Sequence, residues 1–205
     1  MPLSLNSIPT LFNNIDIYLF DLILREKIKE DIRLLDAGTG SGRNIDFLLS
    51  QKIKIHAVDS NKEAISNLLA RYSRENTAAR LSAAVSDISG LPYQDSYFDV
   101  VLCIAVLHFA KDLHEFEQQV YELWRVLKPG GTLFIRSASY EGLQIDGPCG
   151  TGRLVQFPEG RELFAVDHQY LNNLTERLNG TLIYPLKTVI VDNLRGMCCW
   201  CLKKE

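Results

Sequence analysis

Leu34-Leu35-Asp36-Ala37-Gly38-Thr39-Gly40-Ser41-Gly42 sets three glycines at alternate positions, behind an apolar run from Ile32 to Leu35 and ahead of Ile45, Leu48 and Leu49. The run reads as a strand and the glycines as a turn. The segment from Ile45 to Leu49 reads as a helix, because apolar residues three and four apart share one helix face. Glycine reaches backbone angles that other residues avoid, and it keeps side chains off whatever approaches the main chain. Outward from this stretch the unit recurs. Ile53 to Val58 is a second run ending at Asp59, and Ser60 and Glu63 stand at capping-box spacing before a helix faced by Ala64, Ile65, Leu68, Leu69 and Tyr72. Leu81 to Val85 predicts a third strand, and Tyr97 to Ile104 a fourth, so apolar on both faces that it belongs mid-sheet. Asp112 and Glu115 open a further helix, Pro129-Gly130-Gly131 stops it, and Thr132 to Arg136 is strand five. Strands alternating with helices predict an α/β fold.

After Ser137 the rhythm lapses for about thirty residues, too long for a plain turn and therefore a candidate lid or substrate loop. Within it, Leu154 to Phe157 and Glu162 to Val166 flank Pro158-Glu159-Gly160-Arg161 as a small hairpin. Tyr140, Phe157 and Phe164 read as its apolar roof. A helix from Asp167 to about Leu178 ends at Asn179-Gly180, and the runs Thr181 to Val191 and Met197 to Leu202 close the chain as a hairpin. Ahead of the first strand, Leu11, Ile15, Leu19, Leu22 and Ile23 predict one helix between Leu11 and Glu30. The whole reads as a single domain of 205 residues: a helical cover over 1–30, a core over 31–137, a lid over 138–166, and a helix with closing hairpin over 167–205.

Composition narrows the setting. At 46% hydrophobic and 23% charged the chain is globular, and its net charge of -3 supplies no general field for a phosphate backbone, so no nucleic acid partner is predicted. The longest apolar stretch, Val100 to Ala110, falls short of the roughly 18 residues that span a bilayer. An odd cysteine count, five, argues against a closed disulfide framework, and the first ten residues lack the basic start of a signal peptide. Both point to a cytoplasmic protein.

Three acids carry the chemistry. The G-x-G-x-G spacing is one residue shorter than the G-x-G-x-x-G of nicotinamide and flavin sites. Asp36, beside the turn, would repel a pyrophosphate and attract an ammonium or sulfonium group. Asp59 ends the second strand, where two carboxylate oxygens suit the two hydroxyls of a ribose. Asp87, after the third strand, is placed to accept from an adenine amino group.

On these residues, together with Val58-Asp59, Ser86-Asp87-Ile88, Phe98-Asp99-Val100-Val101 and Leu127-Lys128-Pro129-Gly130-Gly131, the chain resembles the class I S-adenosylmethionine-dependent methyltransferases from about Leu34 to Ser137. The resemblance implies a Rossmann-like, seven-stranded sheet of order 3-2-1-4-5-7-6 with strand seven antiparallel and helices on both faces. It places the methionine part of S-adenosylmethionine over Gly38, Gly40 and Gly42, beside Thr39. Ribose falls on Asp59, next to Ser60, and adenine near Asp87 and Ile88. Asp36 faces the amino group, and Cys103 and Ile104 line the methionine portion. Arg43-Asn44 is similar to tellurite-resistance-like members, and quinone-biosynthesis-like members share the general pattern. The activity implied is methyl transfer to a small-molecule acceptor by in-line displacement, which chiefly requires alignment.

His108, just past strand four, is the candidate general base, and the alternative is a buried structural histidine. Arg136, Ser137, Tyr18 and Tyr140 are candidate acceptor-binding residues. Cys198-Cys199-Trp200-Cys201 lies in a strand, so neighbouring thiols point to opposite faces and no metal site is predicted. Two other functions fit parts of the pattern: a non-catalytic cofactor-binding protein of the same fold, and a nicotinamide-dependent oxidoreductase, which the glycine spacing and Asp36 disfavour.

Overall fold

The computed structural model describes residues 4–73, 79–145 and 147–205. Its strands are β1 (Arg33–Ala37), β2 (Lys54–Asp59), β3 (Leu81–Val85), β4 (Phe98–Ile104), β5 (Leu127–Ala138), β6 (Gly152–Gln156), β7 (Glu162–Val166), β8 (Gly180–Leu182), β9 (Lys187–Val191) and β10 (Arg195–Lys204). Its helices are α1 (Ile8–Phe12), α2 (Ile17–Leu24), α3 (Asp46–Leu49), α4 (Lys62–Arg71), α5 (Leu113–Val126) and α6 (His168–Arg177). The main sheet runs β3-β2-β1-β4-β5-β10-β8, parallel through β5 and antiparallel at β10. This is the expected order, with β10 as strand seven and β8 as strand six.

Departures from the expectation have local causes. The run Thr181 to Val191 is two strands, because Pro185 has no N–H for a ladder; β8 and β9 pair with opposite ends of β10. The N-terminal helix is likewise two. Asn13, at φ 48°, ends α1, and Asp16 caps α2 by accepting from the Tyr18 and Leu19 amides. Short polar side chains here offer the backbone local bonds that compete with a continuous helix. At α4 the capping residue is Asn61 rather than Ser60, its side chain accepting from the Glu63 and Ala64 amides.

Each sheet face has its own core. Leu35, Val101 and Ile135 pack with Phe116 of α5 and Leu174 of α6, while Leu34, Leu102 and Phe134 pack with Leu19 and Leu48 on the other side. A third, smaller core of Ala138, Tyr140, Val155, Phe157, Leu163 and Met197 lies under the β6–β7 hairpin. The expected apolar roof is thereby corrected. Phe157 and Phe164 are each 1% exposed, and Phe164 packs 5.2 Å from the Phe116 ring, so both serve cores instead of facing a ligand. No helix among the described residues is long and apolar enough to cross a membrane.

Candidate functional site

The glycine turn follows β1 and is pinned to β2, since the Gly38 and Thr39 amides both donate to Val58 O at 2.8 and 3.0 Å. All three glycines have positive φ: +77° at Gly38, +52° at Gly40 and +76° at Gly42. Their surroundings differ. A Cβ on Gly38 would lie 2.3 Å from Val106 Cγ2, one on Gly40 would meet nothing within 4 Å, and one on Gly42 would strike Leu68 Cδ1 at 2.4 Å. Gly42 therefore lets the turn seat against α4, and the open cradle is at Gly40.

That cradle opens into a cleft of about 400 Å³ bounded by Gly38, Gly40, Asp59, Ser60, Asp87 and Ile88, six residues singled out in the sequence. Asp59 Oδ2 accepts from the Gly40 amide at 2.8 Å and Oδ1 from the Asn61 amide at 2.9 Å. Each carboxylate oxygen has about two acceptor sites, so both keep capacity for a ligand hydroxyl. Asp87 Oδ1 takes the Ser89 amide and hydroxyl, which hold its carboxyl below the usual range and leave Oδ2 without a partner in the turn. Asp36 is 1% exposed, and burial raises its carboxyl to about 6 against the opposing pull of the Thr39 hydroxyl and Arg43.

Cys103 and Ile104 stay inside β4, buried, and do not line the cleft. Ala105 and Val106 do so instead, Ala105 turning the chain at φ 62°. Ser86, Phe109, Glu115 and Gln119 complete the wall, and none belongs to the candidate site residues read from the sequence. Glu115 and Gln119 share a face of α5 at i, i+4 spacing, a pattern visible in the sequence but with nothing there to tie it to the turn.

Beside the cleft, Arg136 at the end of β5 pairs with Asp16 at 3.1 Å, and its guanidinium lies 5.3 Å from the Tyr18 ring centroid. Asp16 also reaches Arg43 at 3.9 Å, and its amide donates to Asn44 Oδ1 at 3.0 Å. The N-terminal helices are thus latched to the glycine turn and to β5 together. Tyr140 does not join this group. Its hydroxyl donates to Thr151 O and Asp167 Oδ2, tying the lid segment to the cap of α6 beside a separate cavity of about 590 Å³.

His108 is 8% exposed, and burial lowers its imidazole to about 4, with Arg136, Arg161 and Arg195 adding to the effect. It is neutral near pH 7 and a weak base. Burial also pushes the thiols of Cys198, Cys199 and Cys201 up, to about 12, 11 and 12, so all remain protonated near neutral pH.

Unmet hydrogen-bonding capacity unites these residues. Seven buried side-chain nitrogen or oxygen atoms lack a hydrogen-bond partner among the described residues; apart from His56 Nδ1, they belong to Asp36, Thr39, His108, Gln119, Arg136 and Ser137. Those six lie at the C-terminal ends of β1, β4 and β5 or on the cleft wall. Leaving such a group unpaired costs about 1–3 kcal/mol, so their concentration at one end of the sheet marks a place for a polar ligand.

A methyltransferase domain family matches residues 35–135. Demethylmenaquinone methyltransferase of Deinococcus radiodurans is 33% identical over 50% of this chain and 42% of its own length. Two solved structures share the fold at 20% identity: the (4+2)-cyclase SpnF, with a TM-score of 0.70 over 91% of this chain and 80% of that one, and Burkholderia thailandensis 1,6-didemethyltoxoflavin-N1-methyltransferase with bound S-adenosylhomocysteine, with a TM-score of 0.68 over 98% and 82%. The chain spans between 32% and 54% of the length of the curated relatives it first matches. Residues 35–135 are thus a methyltransferase domain, set in the fold of the class I S-adenosylmethionine-dependent methyltransferases.

Proposed function

We propose that the cleft binds S-adenosylmethionine and that the protein transfers its methyl group to a small-molecule acceptor held near Arg136, Ser137 and Tyr18. The observation that carries this reading is the set of unpartnered buried atoms gathered from β1, β4, β5 and α5 around the glycine turn. The residues fit the cofactor: Gly40 leaves open space above its Cα, Asp36 Oδ2 awaits a donor, and Asp59 retains acceptor capacity. When bound, the cofactor supplies an electrophilic methyl on a sulfonium whose sulfur keeps the bonding pair as the methyl leaves.

The chain's own contribution is alignment and charge. Asp36 would hold the ammonium of the methionine part, Asp59 the ribose hydroxyls and Asp87 the adenine amine, and Phe109, 71% exposed on the rim, would offer its ring to the base. The N-terminal latch through Asp16 holds α2 over the acceptor and limits water. His108, neutral and buried, positions the acceptor by hydrogen bonding rather than by taking its proton. Fold alone does not fix the reaction, as the cyclase relative illustrates. Calorimetry with S-adenosylhomocysteine and with reduced nicotinamide cofactor tests the cleft, and saturable binding of the first alone is expected. Transfer of labelled methyl to a metabolite extract then separates turnover from cofactor binding; tight nicotinamide binding, or no transfer at all, would count against the reading.

A further inference from the structure

A second cavity, of about 350 Å³, lies between α2 and the β8–β9 connection, at the lower end of the roughly 300–1,000 Å³ range of ligand pockets. Its walls are apolar, from Leu22, Phe134, Tyr184 and Leu186, over the uncharged thiols of Cys199 and Cys201. Its charges are unbalanced. Asp21 is taken by Arg25 at 2.9 Å, and Asp16 alone answers both Arg136 and Arg43. Lys187, at the mouth, makes no ion pair among the described residues and stands 5.5 Å from the Tyr18 ring centroid, on a ring that also carries the Arg136 guanidinium at 5.3 Å. Arg136 Nε is buried without a partner.

Arg136 also stands between this cavity and the cofactor cleft. Its carbonyl accepts from the amide of Ala105, a cleft residue, at 2.7 Å, and across the ladder it pairs with Cys199 in the cavity floor. Resting on the methyl-transfer reading, we infer that this cavity is the acceptor site and that the acceptor is a small apolar acid, its body between Tyr18, Phe134 and Tyr184 and its anionic group between Lys187 and Arg136. Surplus positive charge beside an apolar wall selects against neutral and cationic analogues of the same shape, because a buried donor left unpaired is costly.

The test uses the intact protein with 2-naphthoate as probe, the isosteric 2-naphthamide as neutral control, and S-adenosylhomocysteine as monitor of the cleft. Naphthoate is expected to bind at least about tenfold more tightly than naphthamide, as a charge-assisted contact allows. Lys187→Met should remove most of that preference without altering affinity for naphthamide or S-adenosylhomocysteine. Leu186→Trp, which fills the cavity, should abolish binding of both naphthalenes and spare S-adenosylhomocysteine. Equal affinity for the two naphthalenes, no saturable binding of either while S-adenosylhomocysteine binds, or direct competition between naphthoate and S-adenosylhomocysteine would each overturn the inference. Failure of S-adenosylhomocysteine to bind, with the naphthoate preference intact, would instead remove the methyl-transfer reading and with it the acceptor role.

Discussion

Replacing Gly38 by alanine tests how the turn is built. The added Cβ would lie 2.3 and 2.9 Å from the two Val106 methyls, on a backbone held at φ +77°. A left-handed conformation costs a residue with a β-carbon about 1–2 kcal/mol, and forcing a methyl into filled space adds about 1–3 kcal/mol. The variant should therefore lose about 2–5 kcal/mol in urea denaturation, the sum of those two ranges. Gly40→Ala meets nothing within 4 Å, so only the conformational part, about 1–2 kcal/mol, remains. Trimming the neighbour isolates the clash. Gly38→Ala with Val106→Ala should be more stable than the sum of the single changes by about 1–3 kcal/mol. Binding should rank the two glycines the other way, since the Gly40 methyl enters the cleft and obstructs S-adenosylhomocysteine directly. Additivity of the double variant within about 0.5 kcal/mol, or equal losses at Gly38 and Gly40, would refute the packing argument.

Asp59→Ala should weaken S-adenosylhomocysteine binding by about 1–3 kcal/mol in calorimetry, and unchanged affinity in the folded variant would remove Asp59 from the site. Asp36 has a folded carboxyl raised to about 6 from 3.8 by burial, so its penalty is absent below the lower value and complete above the higher. Asp36→Asn should accordingly stabilise the ligand-free protein by a margin that grows as pH rises between those limits and reaches of order 3 kcal/mol at pH 7, while losing cofactor affinity. His108 sits near 4 instead of 6.5, so the rate profile should show no histidine limb around pH 6.5; a limb there that vanishes in His108→Asn would establish it as a base. Tyr140→Phe should cost about 1–3 kcal/mol in thermal or urea unfolding, by leaving Thr151 O without the Tyr140 hydroxyl while Asp167 keeps the Gly150 and Tyr170 amides, yet leave S-adenosylhomocysteine affinity unchanged.

The sheet was legible because each parallel strand is a short apolar run ended by a turn signal, as at Val58-Asp59, and burial on both faces leaves little alternative to strand. The cleft was half legible. Asp36 and Asp59 stand at the ends of β1 and β2, and Gly38, Gly40 and Asp87 come just after their strands, so sequence position fixes their place. Gly42 carries the same signal, yet its neighbours are Leu68 and Arg71 on α4, which no spacing rule brings to it. The wall after β4 begins at Ala105 rather than Cys103, because the strand continues to Ile104 before the backbone turns. Asp16 was invisible for a plainer reason: its partner Arg136 lies 120 residues away, and inside an apparent helix an aspartate reads only as a solvated residue.

The two sides of the site differ in sign, and that difference bears on how the reaction is driven. Asp59, Asp87 and Glu115 line the cleft, with Asp36 buried behind the glycine turn, whereas beyond the Asp21–Arg25 pair the second cavity is lined by Lys187 and has Arg136 against its Tyr18 wall; Asp16 is the shared counter-ion of Arg136 and Arg43. On the proposed reading, a cationic donor and an anionic acceptor are each drawn to the side that complements them. The acids also lower the potential around the sulfonium, which by itself favours the ground state and slows methyl loss. Alignment must therefore supply more than the field withdraws, and this is where the latch matters. Asp16 ties Asn44, just after the glycine turn, and Arg136 of β5 to a single helix cap, so on that reading the donor cradle and the acceptor cavity share one anchor. Holding two reactants in line is worth up to about 7–11 kcal/mol of a barrier, enough to outweigh an electrostatic penalty of a few kcal/mol spread over partly solvated carboxylates.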